Sequence, residues 1–594
     1  MKYAARFSPR PCRAALFAGA VAALFSASAF AQQAPYFTPG NLVVAVSGCG
    51  VFAGSCVSVP NGTGNGTGNS SIGGYGDNQA SPLTLFQFAP AGTSSATYVN
   101  SLVLPQSVTG ANFPVSAEYG SSSEDTLQLS GDGRYLTIMG YGVDVASFNA
   151  NPGNYGSAPS FALAQSGSLT NAGYTAVPRV VALIDAFGNV NSSTALYNIF
   201  NTNNPRSAFT AAGSSVYVSG QGSGSDATGG VFYSPLGAPN TAPTPITGLD
   251  TTTNSVSQDT RDVQIVNNTL YVSVDSKGGK NSARSYIGTL GAAGTPPTST
   301  VGGPVMLAGY GNTQGTGKYT ITSGANGNGN GLNSGVQINL SPVNYFFANA
   351  STLYVADSGF PKNDSTVSSG SSIGDGGLQK WTNSKTDGSG TWTLIYTLHQ
   401  GLPLVANTSA AGTTGLYGLT GVVSGGNVQL FATNYVINDL DPTFLYGITD
   451  TLAYTSASQA ASESFTQLAA APSDSNFKGV AFTPTAPPPA ATPANLIFTN
   501  SLSGSAANGY SVKLTIANSG GTAATGVTLT SVKIGSTLAS PLPDAVGTVA
   551  AGGSAQATLT VPGSAGADGA ASTVSVSGTY DGGSFTSTVR VKLP

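Results

Sequence analysis

Residues 349–359 read NASTLYVADSG and residues 267–279 read NNTLYVSVDSKGG. Each phrase opens on an Asn-containing turn, runs through Leu, Tyr and Val, and stops at an aspartate followed by small residues. Side chains along an extended strand alternate between its two faces. Here both sets are largely apolar, so such a segment has to be covered from both sides. The same texture recurs in DTLQLSG, RYLTIMGYG, RVVALIDAFG, SSVYVSGQG, DVQIVNN and VQLFATN. All are short, rich in β-branched or aromatic residues, and punctuated by Gly, Asn or Asp, which are strand signals with turn chemistry between them. Outside the first 31 residues no long stretch carries the 3.6-residue apolar period of a helix.

The strands come in pairs. EDTLQLSGDGRYLTIMGYG begins at Glu124, RSAFTAAGSSVYVSGQG at Arg206, RDVQIVNNTLYVSVDS at Arg261, VNYFFANASTLYVADSG at Val343 and LTGVVSGGNVQLFATN at Leu419. Their turns (SGDG, AAGS, VNN, ANAS and SGGN) supply the residues that tight hairpins need. Two further strand-like runs follow most pairs, as GLQKWTN and TWTLIYTL do. Four antiparallel strands per unit, repeated at roughly 55–85 residues, describe the blade of a β-propeller, in which each sheet buries its faces against its neighbours. NFKGVAFTP (476–484) reads as a first strand with no partner after it, and NLVVAVSG (41–48) as a second strand with no partner before it. Pairing the two closes the ring and removes its free edges. The expected fold is all-β: a six-bladed β-propeller. The lengths of 146–178 and 296–342 leave seven blades open.

The stretch STLYVADSGFPKND…GGLQKWT resembles the NHL-type repeat of extracellular six-bladed propellers, although the Asn-His-Leu signature itself is missing. TDGSGTWTL (386–394) resembles a degenerate Asp-box: Asp387, Thr391 and Trp392 keep its spacing, with Ser389 where its glycine would stand. That resemblance implies a structural turn between the third and fourth strands of a blade. After the ring, 485–493 is a Pro-rich linker within TPTAPPPAATP, expected to be extended. Residues 494–594 alternate polar and apolar, with Gly/Ser turns every 8–12 residues or so, the pattern of a β-sandwich. This part resembles the immunoglobulin-like modules of secreted bacterial proteins, which implies a spacer or adhesive role. The expected organisation is a leader over 1–31, a propeller over 32–484, the linker, and an immunoglobulin-like sandwich over 494–594.

The leader expectation rests on Lys2, Arg6, Arg10 and Arg13, the apolar LFAGAVAALF, and an A-x-A ending at Ala29 and Ala31. It implies export, to the medium, the periplasm or the cell surface, without membrane insertion. Cys49 and Cys56 then remain, and in an oxidising compartment they are expected to form a disulfide. Removing the leader takes the 20 basic residues to 16 against 24 acidic ones, a formal charge of −8 with no basic cluster. This disfavours nucleic acid and anionic membranes as partners.

His399 is the only histidine, which makes a Ser–His–acid triad or a multi-histidine metal centre hard to build; its position at a strand end suits packing. Asp275 and Asp357 follow the second strand of their units, and Asn434 holds a similar place. Such oxygens suit calcium, which propeller lactonases hold in this way; the simpler reading has them bonding backbone donors in turns. Asp439 and Asp441 in NDLDPTF are a second acidic pair, without the spacing of an EF-hand. Arg206 and Arg261 each open a first strand, facing the channel or pairing with a nearby acid; a sialidase-type arginine cluster is not evident. The Gly-rich runs 61–78 and 323–335 lack the lysine and helix of a phosphate loop. No catalytic residue and no cofactor other than calcium is indicated. The sequence favours an exported protein binding a glycan, peptide or surface polymer at one mouth of the ring. The alternatives are a calcium-dependent propeller hydrolase of lactonase type and a structural component of an extracellular matrix.

Overall fold

The computed structural model describes residues 34–52, 75–121, 123–223, 227–247, 259–276, 284–310, 318–320, 337–359, 376–405, 409–438, 441–487 and 492–594. The leader, Cys56, Asp439, the run 323–335 and most of 61–78 lie outside these residues. The chain divides into two compact units, Met1–Ala486 and Pro487–Pro594.

The phrase at 349–359 forms the hairpin Pro342–Asn349 and Thr352–Asp357, with Tyr345 opposite Val355 and Phe347 opposite Leu353. Alternation assigns its side chains to two different cores. Leu353 and Val355 pack with Leu270, Val272 and Tyr345 on one side. Tyr354 and Ala356 pack with Leu416, Leu430 and Tyr446 on the other. Burying each large apolar side chain favours the fold by about 1.5–3 kcal/mol, and a lone sheet could realise this on only one face.

In the first unit a nine-stranded antiparallel sheet is followed by four antiparallel four-stranded meanders; the two halves of the large sheet, linked through Ser116–Glu118, are the first and second sheets. In order from the inner strand outward, the second sheet is Gln128–Leu129, Tyr135–Tyr141, Arg179–Asp185 and Val190–Leu196. The third is Pro205–Phe209, Ser215–Gly220, Gly230–Pro235 and Thr244–Pro245. The fourth is Thr260–Val266, Thr269–Ser276, Arg284–Leu290 and Val305–Met306. The fifth continues its hairpin with Gly377–Asn383 and Trp392–Leu398, and the sixth is Thr413–Ser424, Asn427–Val436, Phe444–Thr451 and Thr466–Ala470. The first sheet is composite. Its inner strand, Ser475–Phe482, comes from the far end of the unit and pairs with Leu42–Gly48, Val44 opposite Val480 and Val43 opposite Ala481; Ala80–Ala91 and Ser95–Val103 complete it. The inner strands touch in sequence round to the first, so the circuit is closed and propeller-like. Residues 146–178 hold the short helix Val145–Ala150, capped by Asp144, and a turn of 3₁₀ helix. The described part of 296–342 holds the fourth sheet's outer strand, Val305–Met306, and a separate two-stranded ribbon, Lys318–Thr320 with Gln337–Asn339. Neither stretch adds a further four-stranded sheet among the described residues.

Gly479 shows how tightly the closing strand fits. A Cβ there would lie 2.1 Å from Leu127 N and 2.6 Å from Asp125 O, both backbone atoms of the next sheet. Gly479→Ala is therefore expected to lower stability by about 1–3 kcal/mol or more, read as the shift in denaturant midpoint.

The second unit has two antiparallel sheets. One orders Leu496–Ser505, Gly509–Asn518 and Ser554–Val561; the other joins Ala524–Ile534 to Ala571–Tyr580, Gly583–Lys592 and two short strands. Tyr510, Val512, Leu514 and Ile516 turn to a core shared with Leu529, Val532, Ile534 and Val574, which accounts for the strict alternation in the sequence.

Candidate functional site

In a meander the connections fall alternately on the two ends of the sheet. From the second to the third strand the chain runs through 49–79, 142–178, 221–229, 277–283, 358–376 and 437–443. From each sheet to the next it runs through 104–127, 197–204, 246–259, 307–341, 399–412 and 471–474. The strand ends that these connections join face one mouth. At the other, first and second strands are joined by turns as short as 267–268, 350–351 and 425–426. Chain length has been invested at one end of the ring.

A cluster of charged residues lies at that same end, where the inner strands begin. Arg206 Nη2 lies 3.0 Å from Asp259 Oδ1, and Arg261 Nε lies 3.6 Å from the same oxygen. Arg206 also donates to Gln221 Oε1 at 2.7 Å. The Tyr417 hydroxyl, from the sixth sheet, donates to the Glu124 carbonyl. Burial pushes its pKa up, with Asp125 adding to the rise and Arg206 and Arg261 opposing it. Four sheets thus bring charged or polar groups to one place. Asp125 is 1% exposed and has a left-handed backbone, φ 63°. Its Oδ2 has no hydrogen-bond partner among the described residues. Burial holds its carboxyl well above the usual range, the neighbouring Glu124 adds to this, and Lys478 opposes it. Glu124 accepts from the Tyr141 hydroxyl and from Asn204, and Lys478 donates to the Ser121 carbonyl. Below this layer Asp262 accepts from Ser207 at 2.9 Å and from Gln264 at 2.6 Å, and Gln128 reaches both Ser207 and Asp262. Burial raises the Asp262 pKa to about 7. These groups tie the inner strands of the second, third and fourth sheets together beneath the mouth. A guanidinium pair, a tyrosine hydroxyl and a carboxyl group thus lie together at this end of the inner strands, with Arg206, Tyr417 and Asp125 buried and Arg261 partly exposed.

Asp357 and Asn434 sit at the ends of the second strands of the fifth and sixth sheets, and Asp275 has the matching backbone place in the fourth, opposite Ser285. Asp357 is fully buried: Ser341 N donates to Oδ2 at 2.8 Å, Gly359 N to Oδ1 at 2.9 Å, and Gln379 Nε2 to Oδ2 at 2.8 Å. Asn434 accepts from Phe444 N and donates to Thr413 Oγ1. Both side chains close turns of their own sheets. Among the described residues no three His, Cys, Asp or Glu side chains gather as metal ligands. Asp441 likewise accepts from Gly412 N and Asn438 N. His399 is buried at the end of Trp392–Leu398, with its pKa lowered by burial. Asp387 lies in the turn after Gly377–Asn383 and accepts from both the amide and the hydroxyl of Ser389. Cys49 follows the first described strand, its amide bonded to Asp474 O.

Sequence reasoning singled out Arg206 and Arg261 but missed Asp125, Asp259, Tyr417 and Lys478. Aligning the hairpins by their starts could have found them, since Glu124–Asp125, Arg206, Arg261 and Lys478 all fall near the first residue of an inner strand in a chain only 7% charged.

No family model and no curated protein matches the chain. Among solved structures it is similar to a prolyl endopeptidase (TM-score 0.26, 10% identity, covering 74% of this chain and 53% of that one). It is also similar to an ulvan lyase of a polysaccharide lyase family (TM-score 0.29, 10% identity, 77% and 92%). A third is prolyl oligopeptidase B from Galerina marginata (TM-score 0.28, 8% identity, 74% and 55%). The chain spans about half the length of the two prolyl peptidases. Likeness of this degree carries no weight for the function of this chain.

Proposed function

We propose that the chain is an exported binding protein: a six-bladed propeller of NHL-like type with an immunoglobulin-like module, recognising a glycan, peptide or surface polymer at the long-loop mouth. One observation carries this reading. The strand ends joined by the second-to-third and inter-sheet connections face the mouth where Asp125, Arg206, Asp259, Arg261 and Tyr417 converge. Binding sites are commonly built on loops held by a rigid scaffold, and at the opposite mouth the first-to-second turns of the last three sheets are only two residues long. Export through a cleaved leader and a Cys49–Cys56 disulfide belong to the same proposal. The engaged oxygens of Asp357 and Asn434 give the calcium-dependent hydrolase no supporting observation.

The test is retention of the secreted full chain on arrays of glycans and peptides, paired with Arg261→Ala. The Arg261 side chain is 13% exposed, at the rim of the cluster. Retention that falls about tenfold or more in the variant, as loss of a charged hydrogen-bonding group would cause, with an unchanged melting temperature, supports the proposal. Retention that the variant leaves intact removes the site, and no retention on any array removes the reading. A melting temperature that rises with calcium, and no longer does so in Asp357→Ala, points to the hydrolase instead.

A further inference from the structure

The least expected chemistry lies away from the mouth, between the fifth and sixth sheets. Lys380, in Gly377–Asn383, and Asp450, in Phe444–Thr451, have fully buried side chains 2.8 Å apart, Nζ to Oδ2. The Tyr396 hydroxyl donates to Asp450 Oδ1 at 2.5 Å, and the Tyr354 hydroxyl donates to Oδ2. Nζ lies 5.2 Å from the Tyr396 ring centre and 5.7 Å from that of Tyr354. The half-buried Glu463 reaches the same carboxylate through its side chain, and its Oε1 accepts from Thr451 N. We infer that Lys380 and Asp450 condense into an amide that covalently joins the two sheets, with Glu463 as the acid catalyst.

Three features support this. Nζ lies 2.8 Å from Oδ2, which holds the nitrogen beside the carboxyl carbon it would attack. Besides Asp450, Nζ donates to the Tyr396 hydroxyl at 3.0 Å and to the Thr451 and Leu452 carbonyls at 2.9 and 3.1 Å, which fixes it against the carboxyl group. Burial lowers the Lys380 pKa, with Asp450 opposing, and burial with the neighbouring Asp450 raises that of Glu463 to about 8, so Glu463 holds a proton at neutral pH. Finally, Tyr354 and Tyr396 point hydroxyl donors at the two carboxyl oxygens, one of which would carry the charge of a tetrahedral intermediate while the other leaves as water.

The step balances without any co-reactant. Proton transfer within the pair gives a Lys380 amine and an Asp450 carboxylic acid. Nζ attacks Cγ and the N–C bond forms. Glu463 protonates the departing hydroxyl and takes back the proton that the new amide nitrogen sheds. One Cγ–O bond breaks and one water leaves. Glu463 ends as it began. The Lys380 and Asp450 side chains are fully buried, which keeps bulk water from reversing the reaction.

The chain contains no lysine or arginine between Lys385 and Lys478. Tryptic digestion of the folded full-length protein therefore distinguishes the outcomes. If the bond forms, Lys380 resists cleavage and peptide 363–385 appears joined to 386–478, lighter by one water than the two apart. The joined species is expected to vanish in Lys380→Arg and in Glu463→Gln. Recovery of 363–380 and 386–478 as separate, full-mass peptides from the unsubstituted protein overturns the inference. Survival of the joined species in Glu463→Gln overturns the catalytic role given to that residue.

Discussion

A chain stopped after Asp474 is expected to lose cooperative folding altogether. The truncation removes Ser475–Phe482, and with it Phe477, Val480 and Ala481, which are at most 2% exposed. Phe477 and Val480 together contribute about 3–6 kcal/mol of apolar burial. The remaining loss is topological. Leu42–Gly48 keeps its partner in Ala80–Ala91 but shows an open, apolar edge to the channel, and the second and sixth sheets lose what lies between them. Against a net stability of about 5–15 kcal/mol for a typical domain, the deficit is large enough to unfold the ring, and the free edge invites aggregation. A chain stopped after Ala486 keeps the closing strand and is expected to melt as the intact first unit does. The comparison is made by near-ultraviolet circular dichroism and the soluble fraction on expression. A cooperative transition in the shorter chain, within a few degrees of the longer one, would show that closure is dispensable.

The closing strand also marks how far the sequence can be read. NFKGVAFTP and NLVVAVSG were legible as partners because each showed a strand pattern with one neighbour missing, and Val480 does lie opposite Val44. The five hairpins were legible for a similar reason: alternation inside a strand and the turn after it are local properties. Outer strands such as Thr244–Pro245 and Val305–Met306 are only two residues long and carry no period to detect. The helix Val145–Ala150 is too short to display one. The site was less legible still, because its contacts join different sheets. Arg206 finds Asp259 across 53 positions, and Lys380 finds Asp450 across 70. Asp357 was a candidate ligand in sequence because it follows the second strand of its unit, as Asp275 does, with backbone donors in a turn as the simpler reading; in the fold the Ser341 and Gly359 amides donate to it.

Arg179 offers the second large effect, and it bears on the mouth. Its side chain is fully buried and donates through Nη1 to Ser166 Oγ at 3.2 Å and Val177 O at 3.0 Å. Nη2 donates to Ser166 O, Phe200 O and Asn203 O at 2.9, 2.7 and 3.1 Å. The guanidinium also lies 4.7 Å over the Tyr141 ring. Its acceptors belong to 142–178 and 197–204, two of the connections that form the long-loop mouth. In the second, Asn198, Phe200 and Thr202 have φ of 61°, 48° and 51°, a left-handed run that costs about 1–3 kcal/mol for each bulky residue. One side chain therefore holds a strained segment against a long loop, and does so with a planar fork that lysine cannot reproduce. Arg179→Met fills much of the volume but leaves the carbonyls without donors, at about 1–3 kcal/mol for each one that stays dry. The expected loss is about 3–5 kcal/mol in equilibrium denaturation, with Arg179→Lys recovering less than half. New protease cleavage within 142–178 and 197–204, ahead of global unfolding, would locate the damage at the mouth. A loss below about 1 kcal/mol would mean that water replaces the guanidinium and that the segment holds its own conformation.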